Sequence, residues 1–136
     1  MLIIKQKFIF REDIRNNRHL LYIFGDNLKR VGFGGQAKEM RGEPNSFGIA
    51  TKRAPTYFEE DFFNDKDYNE LREIIKKEFE NLYEHLENFE YEGIVIPSDG
   101  IGTGIAKLQE NAPKLLAYIN RQLDHLGIFC RTKYNY

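Results

Sequence analysis

The run His19-Leu-Leu-Tyr-Ile-Phe24 places no polar residue at alternate positions, and Gly93-Ile-Val-Ile96 repeats the pattern. A strand wetted on one face alternates apolar with polar residues; a strand without alternation is buried on both faces. Such strands need helices above and below the sheet. The chain supplies them. After Asp67, residues Leu71, Ile74, Ile75, Phe79, Leu82, Tyr83 and Leu86 fall on one stripe at a 3.6-residue period. Leu115, Leu116, Ile119 and Leu123 form a second stripe, on a helix expected to end near Gly127.

Further strands are expected at Leu2 to Phe10, where Ile4, Phe8 and Phe10 alternate, at Ser46 to Thr51, and at Ile128 to Arg131. Arg11 to Arg18 reads as a loop with a short helical turn, and Gly25-Asp-Asn27 as a turn closing the first buried strand. Gln36 to Arg41 are good helix formers, with Lys38 and Arg41 expected on the helix surface. The alternation of buried strands and amphipathic helices predicts one α/β domain over residues 1–136, a three-layer fold whose mixed, mostly parallel sheet is flanked by helices. No repeat, linker or low-complexity tract interrupts it.

Composition limits the partners. A formal charge of −1 excludes blanket attraction to nucleic acid or an anionic membrane, so an anionic ligand must be gripped locally. The one cysteine, Cys130, cannot form an internal disulfide and reads as strand packing, which predicts a reducing compartment. The first ten residues are too short and too broken by lysines for a leader or a membrane span, so a cytoplasmic location is expected. His19, His85 and His125 are too scattered for a metal site, and no cofactor is expected.

The chemistry is expected in two glycine-rich loops. The first, Gly25-Asp-Asn-Leu-Lys-Arg-Val-Gly-Phe-Gly-Gly-Gln-Ala37, and the second, Ser98-Asp-Gly-Ile-Gly-Thr-Gly-Ile-Ala106, each follow a strand and open a helix. Ligands of open α/β sheets bind beyond the carboxyl ends of the strands. Glycine lets backbone approach a phosphate and turn successive amides toward it, and a helix N-terminus adds partial positive charge. Neither loop holds the Gly-Lys-Ser/Thr of a P-loop, and Gly32-Phe-Gly34-Gly35-Gln-Ala37 starts too late after its strand for a dinucleotide fingerprint.

These segments resemble the macrodomains, ADP-ribose-binding modules of this size, and most of all the subclass typified by terminal ADP-ribose protein glycohydrolase. Ile96-Pro-Ser-Asp-Gly-Ile-Gly-Thr-Gly-Ile-Ala-Lys-Leu-Gln-Glu-Asn111 is similar to that subclass's second phosphate loop. Ile49-Ala-Thr-Lys-Arg-Ala-Pro-Thr-Tyr57 is similar to its lysine-bearing segment, Gly34 to Ala37 to its first loop, and Arg11-Glu-Asp-Ile14 to its Gly-Asp-[IL] turn. The likeness runs from about Lys7 to Leu123.

The resemblance implies the following roles. Asp13 would accept from the adenine amino group beside the Ile14 amide. Asn27 with Gly34, Gly35, Gln36 and Ala37 would face the distal ribose and first phosphate. Ser98, Gly102, Thr103, Gly104 and Ile105 would wrap the diphosphate. Lys52 would correspond to the lysine that attacks the anomeric carbon of the distal ribose. The family's second-loop aspartate falls on Ala106, a departure, and Asp99 is the expected substitute. The implied partner is ADP-ribose or an ADP-ribosylated substrate. The implied activity is hydrolysis of ADP-ribose conjugates, of glycohydrolase or ADP-ribose-1″-phosphatase type. The alternative is a non-catalytic reader or sponge for ADP-ribose or a cyclic relative. A third reading makes the loops plain turns of an interaction domain.

Overall fold

The structure, a computed structural model, describes residues 1–134. Four strands, β1 (Leu2–Gln6), β2 (Leu20–Asn27), β3 (Ser46–Lys52) and β4 (Gly93–Pro97), pair in the order β1-β4-β2-β3. All three ladders are parallel. Helices α1 (Arg11–Asn16), α2 (Ala37–Met40), α3 (Tyr68–Asn88), α4 (Leu108–Asn111) and α5 (Pro113–Tyr134) surround the sheet.

The unalternating strands are apolar throughout because their successive side chains serve two cores. Leu21 and Ile23 of β2, with Ile94 and Ile96 of β4, pack on the side of α3 and α5. Tyr22 and Phe24, with Val95, pack on the opposite side against Ile14 of α1 and Ala37 and Met40 of α2. The sheet is thus the middle of three layers. On α3 the expected stripe is buried at Leu71, Ile75, Phe79, Leu82 and Leu86. Each such side chain contributes on the order of 1.5–3 kcal/mol by leaving water.

Four expectations are corrected. β1 stops at Gln6, and Phe8 and Phe10 are exposed, because α1 begins at Arg11 and the chain leaves the sheet. Gly25–Asn27 do not turn; they extend β2 and pair with β3 as far as Asn27↔Lys52, across a bulge. Ile128 to Arg131 are not a strand but part of α5, which passes through Gly127. Cys130 is buried on the same helical stripe as Leu115, Ile119, Leu123 and Leu126, so the apolar segment after the glycine continues the 3.6-residue period. Finally, the helices after the two glycine loops, α2 and α4, each span only four residues. They add little macrodipole to the loop ends, since aligned peptide dipoles build up with length.

A polar clamp fixes the outer layer. Glu43, buried just after α2, accepts from Arg15 Nε at 2.7 Å, and Arg11 and Arg18 lie at 3.8 and 3.7 Å. The Arg15 hydrogen bond holds the Glu43 carboxyl below its ordinary range, with the charges of Arg15, Arg18 and Arg11 acting in the same direction and burial opposing them. A carboxyl depressed in the folded state stabilises the fold above its unfolded pKa of about 4.3, and the contribution is lost as pH falls through the folded value. Urea unfolding followed from pH 7 to pH 3 should show a midpoint that drops on the acid side. Glu43→Gln should flatten that drop, and an unchanged slope would remove the clamp from the acid response.

Candidate ligand-binding site

β2 and β4 are neighbours, so the segments leaving their carboxyl ends leave side by side. One side chain ties them together. Gln36 Oε1 accepts from the Gly25 amide at 2.7 Å, while its Nε2 donates to the Gly100 carbonyl at 3.2 Å. A Cβ placed on Gly25 would stand 3.2 Å from the Gly102 nitrogen, and one on Gly34 3.0 Å from Ile105 Cδ1. The two loops therefore meet over the sheet edge. Within the second loop the amides of residues 102–106 donate to no group among the described residues. Consecutive free amides in a turn make an anion-binding concavity.

Three clefts run across this edge and share walls. The outermost, about 230 Å³, is walled mainly by Phe8, Ile9, Phe10, Met40 and Pro97, with Lys7, Glu39, Gly35 and Gln36 completing it. The middle one, about 90 Å³, is lined by Gly25, Thr51 and both glycine loops, including Gly34, Gly35, Gln36, Gly102, Gly104 and Ile105. The innermost, about 120 Å³, again begins at Gly25 and Gly34 and ends among Asp26, Asn27, Arg41, Thr51, Lys52 and Tyr57. Gly35 and Gln36 join the first to the second, and Gly34 joins the second to the third. Four exposed apolar side chains, Val31, Phe33, Tyr57 and Ile105, rim the inner cleft.

The inner cleft sets a few charged groups among apolar walls. Asp26, at the end of β2, is buried and gripped by Arg41, whose Nη2 and Nη1 reach its two oxygens; Arg30 lies 3.6 Å away. Arg41 Nε also donates to the Gly32 carbonyl at 2.6 Å, which pins the first loop to the strand end. Lys52, only 4% exposed, donates its ammonium to the Thr56 carbonyl and lies 4.3 Å from the Phe62 ring centre and 5.0 Å from that of Tyr57. Burial pushes the Lys52 amine below its ordinary range, and the nearby Asp61 carboxylate opposes the shift. Charge facing an aromatic ring is favourable, which offsets part of the desolvation.

The expected residues divide. Gly34, Gly35, Gln36, Ala37, Gly102, Gly104, Ile105 and Lys52 line the clefts. Asn27 lines the inner cleft too, but its side chain is committed to its own loop, donating to the Val31 carbonyl at 2.8 Å and accepting from the Lys29 amide at 3.0 Å. Asp13 and Ile14 are not brought to the clefts. Asp13 caps the start of α1 by accepting from the Phe10 amide at 2.9 Å and also takes Gln6 Nε2 at 3.2 Å, and the Ile14 amide bonds to the Phe10 carbonyl. Ser98 and Asp99 are exposed outside the clefts, and the Thr103 hydroxyl turns back to the Asp99 carbonyl at 2.9 Å. Asp99 therefore does not share the Lys52 cleft.

Sequence reading missed Asp26, Arg41, Tyr57 and Asp61. Arg41 belongs to the site, not the helix surface, because its extended backbone after the single turn of α2 sends the side chain back to β2. The available signal was Asp26 itself, a carboxylate at the end of a doubly buried strand, which requires a cation. Among the described residues no helix is long and apolar enough to cross a membrane, and no group of His, Cys, Asp and Glu is arranged for a metal ion.

Comparison with known proteins gives one family: residues 4–122 match the model described as "Family of unknown function (DUF7831)". No curated protein and no solved structure matches the chain.

The two loop glycines separate folding from binding. Gly102 has φ of +79°, and a Cβ there would fall 2.3 Å from Leu108 Cδ1; around Gly104 nothing lies within 4 Å. Gly102→Ala should cost about 1–3 kcal/mol from the backbone alone. Gly104→Ala should stay within about 0.5 kcal/mol of wild type. Chemical denaturation of both variants checks the contrast.

Proposed function

The chain belongs to DUF7831, a family of unknown function, and for this member of it we propose a macrodomain-like ADP-ribose-binding protein that hydrolyses ADP-ribose conjugates. One observation supports the reading: three joined clefts follow one another along a single sheet edge, the first walled mainly by Phe8, Ile9, Phe10 and Met40, the second by both glycine loops, and the third holding Asp26, Arg41 and Lys52 among apolar walls. That order suits a purine, a diphosphate and a terminal ribose. The first cleft fits a base, which stacks or packs without requiring charge. The free amides of residues 102–106 suit the diphosphate in a chain of net charge −1, since they supply positive ends without surplus lysines. A terminal ribose would meet Asp26, Arg41 and Lys52, which line the third cleft.

The catalytic part rests on Lys52, which lines the inner cleft. An amine depressed by burial spends more time with its lone pair free. In the proposed step that lone pair forms a bond to the anomeric carbon while the bond to the leaving group breaks, the electron pair departing with that group, which takes a proton from solvent. The lysine nitrogen is then a protonated secondary amine; water bonds to the anomeric carbon as the C–N bond breaks, its electron pair returning to the nitrogen, and the added water gives its surplus proton to solvent. The non-catalytic reading, a binder for ADP-ribose or a cyclic relative, is favoured by Ala106 and by the commitment of the Lys52 ammonium to the Thr56 carbonyl.

Calorimetry with ADP-ribose should show binding, and ADP-ribose at 100 times its dissociation constant should add about 2.7 kcal/mol of stability. Gly104→Glu should abolish both effects while leaving the fold intact, because a Cβ there meets nothing within 4 Å and the added carboxylate would sit at the wall of the middle cleft, where the diphosphate is proposed. Unchanged melting in excess ADP-ribose would reject the reading. With ADP-ribosylated protein, ADP-ribosylated DNA and ADP-ribose-1″-phosphate as substrates, Lys52→Ala should stop turnover and keep binding. Binding without turnover of any substrate by the wild type would leave the binding module.

A further inference from the structure

After β3 the chain does not leave the site; it turns back over it. Lys52 forms an isolated antiparallel bridge with Phe62, and the Arg53 amide donates to the Asp61 carbonyl at 2.8 Å. The returning segment is stapled by its own bonds, Phe58 amide to Thr56 Oγ1 at 3.2 Å and Asp61 amide to Phe58 carbonyl at 3.0 Å. This closure brings Thr56 between Lys52 and Asp61. Its carbonyl accepts from the Lys52 ammonium, and its hydroxyl donates to the Asp61 carboxylate.

The other charged groups near the lysine are otherwise engaged. Asp26 across the inner cleft is matched by Arg41 and Arg30. Arg53 points to Asp67 and Glu70, at 3.6 and 3.2 Å. Tyr57 and Phe62 contribute ring faces. Glu59 and Glu60 are exposed along an adjoining open groove that shares Tyr57 with the inner cleft and includes Phe62. Asp99 lies outside the cleft and position 106 is alanine.

We propose that Asp61, coupled to Lys52 through the carbonyl and hydroxyl of Thr56, is the carboxylate partner of the cleft lysine, a positioning residue that steadies its ammonium on the cleft wall. Its use in turnover rests on the hydrolase reading above. In that use the charge of Asp61 favours the ammonium, while the Lys52–Phe62 bridge keeps the lysine at the wall of the inner cleft.

The test follows the Lys52 ¹³Cε signal of uniformly labelled, ligand-free protein through an alkaline titration, with the signal assigned by its absence in Lys52→Ala. Removing the charge leaves burial unopposed, so the Lys52 midpoint should move to lower pH in Asp61→Asn and in Asp61→Ser. Asp61→Glu should stay near wild type. An unmoved midpoint in a folded neutral variant overturns the pairing. The wild type alone also decides: the Lys52 ¹³Cε and Asp61 ¹³Cγ signals should share a step in one pH titration, and its absence overturns the proposal. Because no ADP-ribose is present, these outcomes are separate from failure of the binding reading. Where conjugates are hydrolysed, Asp61→Asn should also shift the rising limb of the pH–rate profile to lower pH.

Discussion

Burial of β2 and β4 on both faces is the constraint from which the rest follows. With Leu21, Ile23, Ile94 and Ile96 facing α3 and α5, and Tyr22, Phe24 and Val95 facing α1 and α2, neither face of the central strands is open to a ligand. Only the strand ends are left. The parallel arrangement puts both carboxyl ends on one edge, and their adjacency puts both glycine loops there together. The site is thus located by the sheet before any functional residue is considered. That is the general behaviour of open α/β sheets, whose ligands sit beyond the carboxyl ends of the strands.

On that edge, order comes from a few polar side chains more than from packing. Gln36 spans the gap between the Gly25 amide and the Gly100 carbonyl, so the spacing of the two loops is set by one amide group. Arg41 does the same one layer inward, joining Asp26 at the strand end to the carbonyls of Gly32 and Val31. These bonds fix the two glycine loops against each other and against the end of β2.

How much of this was legible in the sequence depended on whether the signal was periodic or spatial. The three layers and the α3 stripe followed from spacing alone, because burial imposes a period of 3.6 on helices and removes alternation from doubly covered strands. The same signal misled at Gly127, where a glycine and three apolar residues read as a helix stop and a strand. There Leu126 and Cys130 continue the α5 stripe, and tertiary packing outweighs the roughly 1 kcal/mol that a mid-helix glycine costs. Glycine-rich composition located both loops. It could not show that Asp13 would be spent on capping α1. Nor could it show that Arg41 would turn inward, because the Asp26–Arg41 pair spans fifteen residues and is closed only by the fold.

The same limit explains the carboxylate. Alignment by motif sends attention to the second loop, where Ala106 stands, and then to Asp99 a few residues upstream. Asp61 lies in a stretch of acidic residues, Glu59-Glu-Asp61, that by itself reads as a solvated surface turn. What distinguishes Asp61 from its two neighbours is the bridge between Lys52 and Phe62, which fixes the residue before Phe62 beside the end of β3. A buried ammonium needs hydrogen-bond acceptors and a counter-charge within reach, or it neutralises. Lys52 has the Thr56 carbonyl, two ring faces and the Asp61 charge. Burial eases the loss of its proton, and these partners offset the cost of enclosing the charge.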